Sequence, residues 1–181
     1  MDTIRRQLDK HAIGIMLILG VLFYFLPGEW IRIEDDTAGY LAERGKEGIL
    51  PGYPMFLGFF KTLLGQQYYL HGVVAAQCIL AIICTLLFVL TLRAQFRLRG
   101  EECILLYVGS MLPFSIYLPE SGITHQILTE GITYALFYLF FITVIKAVWS
   151  LQYKWYLGSV FMAFVLGLIR SQMLFLQAVC L

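Results

Sequence analysis

Residues 69–92 read YLHGVVAAQCILAIICTLLFVLTL, a stretch with no Asp, Glu, Lys or Arg and a near-continuous apolar character. A helix needs roughly 20 such residues to cross the hydrocarbon core of a bilayer. Working outward from this stretch, four more apolar runs emerge: His11–Leu26, Cys103–Leu118, Ile127–Trp149, and one from Trp155 to the chain end. The composition agrees, with 60% hydrophobic and 14% charged residues, against about 25% charged in a soluble domain. The reading is an all-α integral membrane protein of about five transmembrane helices, with short interfacial helices in the first outer loop, forming a single module over 1–181.

Several classes are set aside by the same composition. The net charge is +1 and no basic run exceeds two residues, so a nucleic-acid partner has no electrostatic footprint. Cys78, Cys84, Cys103 and Cys180 lie in or beside apolar runs without a CxxC or Cys/His spacing, and read as small packed side chains. The first run follows Arg5, Arg6 and Lys10, but Phe23-Tyr-Phe-Leu-Pro27 stands where a signal peptide needs small residues; it reads as a retained anchor.

Cations near the span ends set the orientation. Arg5, Arg6, Lys10, Arg93, Arg97, Arg99, Lys146 and Lys154 fall on one side if the N-terminus is cytoplasmic. The expectation is therefore a multi-pass protein of the plasma membrane, N-terminus inside. The Gly28–Tyr68 segment then lies outside, where six acids outnumber Arg32, Arg44, Lys46 and Lys61. A connector of that length is usually functional. Within it, Thr37–Lys46 predicts a short helix, and the apolar, aromatic Pro54–Leu64 predicts a second one lying along the membrane surface.

Four places in the chain carry polar groups that could do chemistry. Glu34-Asp35-Asp36 brings three carboxylates together, and their repulsion favours a shared proton, a donor or a cation. Such a cluster serves as a general base, offers oxygen ligands to a divalent metal ion, or is simply a solvated acidic turn. Glu130 opens span four; an acid at membrane depth points to function, while a carboxylate in a helix's first turn, capped by Thr124 or Thr129, is also favoured by the dipole. His125 lies close to the same mouth and reads equally as structural. Arg170, inside span five, needs a phosphate, a watery cavity, or an ion pair with Glu130 or Glu120.

The segment Asp36-Thr-Ala-Gly-Tyr40-Leu-Ala, then Gly48, then Pro51-Gly-Tyr-Pro-Met-Phe-Leu-Gly-Phe-Phe-Lys-Thr-Leu-Leu-Gly65, resembles the first outer loop of GT-C glycosyltransferases of the protein mannosyltransferase and aminoarabinose transferase type. Leu128-Thr-Glu130 and the Arg170 that follows Gly167-Leu168 are weaker matches in the same order. The resemblance implies transfer of a sugar from a polyprenyl-phosphate carrier to an acceptor (glycan, lipid or protein) at the outer face, with inversion. It implies Asp36 as catalytic acid, with Asp35 as its rival. It gives substrate-binding roles to Glu130, Arg170, Tyr40 and His125, and leaves a divalent metal as the sole cofactor to consider. Such enzymes have at least seven spans, so the expectation is the N-terminal part of a larger enzyme. Two other classes compete: a transporter or flippase fragment, for which midplane helix breaks and inverted repeats would speak, and a non-catalytic membrane subunit.

Overall fold

The computed structural model describes residues 2–25, 31–33, 37–41, 50–115 and 123–179. These residues form seven α-helices: α1 (Asp2–Phe25), α2 (Thr37–Leu41), α3 (Gly52–Phe96), α4 (Gly100–Ser115), α5 (Thr129–Ser150), α6 (Tyr153–Ile169) and α7 (Phe175–Val179). Three-residue and four-residue 3₁₀ turns, Ile123–His125 and Ser171–Leu174, precede α5 and α7. The all-α class holds: the described residues contain no strand, only one isolated parallel bridge between Arg32 and Gln126.

Two helices, α3 and α5, are long and apolar enough to cross a membrane, and α6 is apolar but shorter. They correspond to the predicted spans at Tyr69–Leu92 and Ile127–Trp149. α1 packs on α4, α3 packs on α4 and α5, and α5 packs on α6. The main core joins Ala12 and Met16 of α1, Val73, Cys78, Ala81 and Val89 of α3, Cys103 and Tyr107 of α4, and Ala135 of α5. Outward faces stay apolar at helical spacing: Ile79, Ile83 and Leu87 on α3, and Leu157, Phe161, Phe164 and Leu168 on α6.

Polar contacts gather at the two ends of this bundle. At one end Asp9 accepts hydrogen bonds from the Gly100 amide at the head of α4 and from Arg93 at 3.2 Å. There Phe96 meets Trp149 edge-on, at 5.4 Å between ring centres. At the other end lie Gln77, Glu130 and Arg170. Gln77 to Phe96 along α3, and Glu130 to Ser150 along α5, each amount to about 30 Å of helix, the thickness of a bilayer's hydrocarbon core. No Asp, Glu, Lys or Arg lies between those levels on α3 until Arg93, or on α5 until Lys146.

The start of α3 departs from a straight helix. Gly65 has φ 72° and ψ 170°, a conformation glycine adopts without steric penalty, and the axis breaks there. In a straight helix Phe60 and Gly72 would be about 18 Å apart; instead a Cβ at Gly72 would stand 2.9 Å from the Phe60 ring. Tyr53 and Gln77, which would be about 36 Å apart, share a hydrogen bond of 3.0 Å. The predicted helix up to Leu64 therefore exists, but it is the first arm of a helical hairpin that runs back beside the start of the long arm. Its Met55, Phe59 and Leu63 form an exposed stripe.

Two further expectations are refined. The first-loop helix is seen as α2 over Thr37–Leu41, and the rest of the predicted Thr37–Lys46 lies outside the described residues. The fifth run is not one continuous helix to the chain end. α6 stops at Ile169, and Arg170 is extended (φ −143°, ψ 120°). After the 3₁₀ turn, Leu176 of α7 returns to pack with Leu166, Ala163 and Phe140. The physical reason lies in Arg170-Ser171-Gln172, three polar residues at the level where the apolar layer ends.

Candidate functional site

The first turn of α5 carries Glu130, and the chain leaving α6 carries Arg170. Arg170 Nη1 lies 2.6 Å from Glu130 Oε1, with side chains 26% and 27% exposed. The second carboxylate oxygen, Oε2, accepts from the Thr129 hydroxyl at 3.0 Å, and Arg170 Nε donates to Gln172 Oε1 at 2.6 Å. The guanidinium fork is thus held from two directions. Its extended backbone still donates its N–H to Leu166 O at 2.9 Å, so the helix ends by turning the side chain toward α5 rather than by losing its last bond.

The expected hydroxyl cap on α5 is not made. The residue before the helix is Leu128, extended and without a capping side chain, and Thr129 spends its hydroxyl on Glu130. Glu130 itself, in the first turn, then complements the helix dipole.

At the same end of the bundle, Gln77 of α3 organises a second set of contacts. Its side-chain amide donates to Thr124 O at 2.8 Å and Gln126 O at 3.0 Å, and its carbonyl accepts from the Tyr53 hydroxyl at 3.0 Å. Gln77 and Tyr53 are fully buried. A Cβ at Gly131 would meet the Gln77 amide at 2.7 Å, so glycine is what lets α5 approach here. Tyr53 lies in the short arm ahead of Gly65. Burial above all, and then the neighbouring Tyr40 and Glu130, push its phenol well above the usual range and keep it a hydrogen-bond donor.

The segments around Arg32, Thr37 and Gly52 are stitched to the same place. Arg32 N–H donates to His125 O at 2.9 Å and Ile127 N–H to Arg32 O at 3.2 Å, forming the isolated bridge. The Thr37 hydroxyl donates to Ile127 O at 3.2 Å, three residues before Glu130. Gly52 abuts the end of α6: a Cβ there would stand 2.7 Å from Leu168 O, two residues before Arg170.

Of the residues singled out from sequence, Glu130 and Arg170 come together directly. Tyr40 sits on α2, half-buried, with its ring edge-on to Tyr53 at 5.2 Å. His125 is fully buried, its Nε2 3.7 Å from Cys78 Sγ, behind the mouth rather than in it. Asp35 and Asp36 lie outside the described residues, and the adjacent Thr37 is the nearest described position. The described residues contain no group of three His, Cys, Asp or Glu side chains placed to hold a metal.

Gln77 and Tyr53 were not anticipated. Gln77 had a visible signal, a lone amide in an apolar run where an unsatisfied polar group is costly. Its replacement by Leu should leave a buried phenol and two buried carbonyls without their partner, at about 1–3 kcal/mol for each group. Gln77→Leu is therefore expected to lower the thermal unfolding midpoint in detergent sharply, and Tyr53→Phe should recover part of that loss. An unchanged midpoint in Gln77→Leu would show that the network does not hold the hairpin.

No family model, no curated protein and no solved structure matches the chain, so its function is argued from the arrangement of Glu130, Arg170, Tyr53 and Gln77 itself.

Proposed function

We propose that the chain is a multi-pass membrane module, N-terminus inside, that transfers a sugar from a polyprenyl-phosphate carrier to an acceptor hydroxyl at the outer face. The observation that carries this reading is the meeting of three sequence-distant pieces at one end of the bundle. These are Pro51-Gly52-Tyr53 with the α2 loop, Glu130, and Arg170. Each belongs to the resemblance to GT-C glycosyltransferases, and nothing local in the sequence forces them together.

The chemistry follows from the groups. Asp36, next to the anchored Thr37, takes the proton of the acceptor hydroxyl. The freed oxygen attacks the anomeric carbon, whose bond to the carrier phosphate breaks through an oxocarbenium-like transition state. A single displacement inverts the anomeric centre. Arg170 neutralises the departing polyprenyl phosphate with its planar fork. Glu130 orients Arg170 and the polar substrate between them.

A transporter reading finds helix breaks at Gly65 and Arg170. Both, however, fall at or beyond the outer limit of the apolar layer. α6 runs 17 residues from Tyr153 before Arg170, about 25 Å of helix, whereas transport sites lie near the midplane.

The test is a transfer assay. The full-length protein, reconstituted in vesicles with a pool of polyprenyl-phosphate-linked sugars and membrane extract as acceptor, should release free polyprenyl phosphate. Sugar translocated with its carrier intact would instead support transport. Neither cleavage nor movement would leave the non-catalytic reading.

A further inference from the structure

At the end of the bundle opposite Glu130, the turn between α5 and α6 carries a feature that sugar transfer does not use. Lys146 Nζ lies 4.4 Å from the centre of the Trp155 ring and Lys154 Nζ lies 5.6 Å from it. Neither lysine pairs with a carboxylate among the described residues. Two ammonium groups gathered at one indole repel each other, and an anion between them would relieve that repulsion.

Beside the lysines runs an open groove of about 370 Å³ lined by Ala147, Val148, Leu151, Gln152, Tyr153 and Tyr156. That volume is at the lower end of small-molecule sites. Its lining is mostly apolar and strongly exposed: Leu151 is 87% and Tyr153 71% accessible. Trp149 and Trp155 adjoin its lining residues in sequence, and aromatic residues of this kind gather at headgroup level. An apolar groove next to two lysines that share one indole and have no carboxylate partner among the described residues is complementary to one kind of molecule, with an acyl chain and a negative headgroup.

We infer that the α5–α6 turn is a binding site for one anionic phospholipid of the cytoplasmic leaflet. Its acyl chain lies along Val148, Leu151 and Tyr156, and its phosphate lies between Lys146 and Lys154. The inference rests on the membrane-spanning part of the proposed reading and is independent of sugar transfer.

The 181 residues contain three tryptophans, so a Trp30→Phe/Trp149→Phe variant of this chain leaves Trp155 as the single reporter. In nanodiscs, brominated phosphatidylglycerol should quench Trp155 far more than brominated phosphatidylcholine at equal mole fraction, and inorganic phosphate should not relieve the quenching. Each basic residue near an anionic surface adds about fivefold to affinity. Lys146→Gln and Lys154→Gln should each reduce the preference by about that factor, with phosphatidylcholine quenching unchanged. Equal quenching by both lipids, or a preference that survives the double substitution, overturns the site. An absence of quenching by either lipid overturns it together with the membrane reading.

Discussion

Arg170→Met is expected to cost stability and donor binding together, and a second substitution should separate the two. In the wild-type protein the guanidinium lies 2.6 Å from Glu130, with both side chains about a quarter exposed. Removing one partner of an exposed pair costs roughly 0–1 kcal/mol, and of a buried pair about 3–5 kcal/mol. The loss in Arg170→Met should fall between those limits, because both side chains are partly buried and Glu130 keeps the Thr129 hydroxyl as a hydrogen-bond donor to it. Glu130→Leu alone should be destabilising for the mirror reason. The double variant Glu130→Leu/Arg170→Met removes both charges and should recover most of the unfolding midpoint, since an apolar pair of similar volume often replaces an ion pair without loss.

Transfer should not recover with the midpoint. If Arg170 meets the carrier phosphate, the double variant remains unable to bind polyprenyl phosphate tightly or to stabilise its departure. Charge-assisted contacts of this kind change rates by about 10²–10³-fold. The measurement pairs thermal unfolding in detergent with transfer from the lipid-linked sugar. A double variant that recovers both stability and transfer would make the pair a latch between α5 and α6 and nothing more.

How much of this was legible in the sequence depends on the range of the interaction involved. The spans at Tyr69–Leu92 and Ile127–Trp149 could be read because their signal is local: a run without charge long enough to cross a bilayer. The break at Gly65 was legible as a helix end, because a glycine closes the apolar Pro54–Leu64 run. The fold-back was not, since it depends on Tyr53 meeting Gln77 twenty-four positions later. Arg170 announced that it needed an anion, and Glu130 was one of two carboxylates named for it. The pairing itself required two helices to be placed side by side. The stop of α6 at Ile169 was hidden because apolar residues resume at Met173 and Leu174, so the pattern looks continuous across the polar triplet.

The hairpin also explains why a short loop helix can bear on a site so far along the chain. α2 contributes Tyr40, whose ring packs edge-on against Tyr53. Tyr53 is bonded to Gln77, which in turn holds the Thr124 and Gln126 carbonyls just ahead of α5. Thr37 is bonded to Ile127 on the same segment. Arg32, Thr37–Leu41 and residues 123–128, the described parts of the two connecting segments, are therefore tied together ahead of α5 by hydrogen bonds.

Under the proposed transfer reaction, the acid preceding α2 is the residue on which activity should depend most. Asp36 directly precedes Thr37, and Thr37 is tied three residues before Glu130. Asp36→Asn keeps the size of the side chain and most of its hydrogen-bonding capacity, but removes the group that accepts the acceptor's proton. General base catalysis contributes roughly 10²–10⁴-fold, so transfer from the polyprenyl-phosphate sugar in the full-length protein should fall by about that much. Carrier binding should change little, because the phosphate is assigned to Arg170. This contrast distinguishes the variant from Arg170→Met, in which binding and turnover fall together. Asp35→Asn is the necessary companion. The two carboxylates are adjacent in sequence and compete for the role. The resemblance to GT-C glycosyltransferases, whose loop carries an acid four residues before a Tyr, implies Asp36. Full transfer in Asp36→Asn with loss in Asp35→Asn would move the base by one residue. Full transfer in both would remove the catalytic role from this loop, and the Glu130–Arg170 pair would then need another partner for its chemistry.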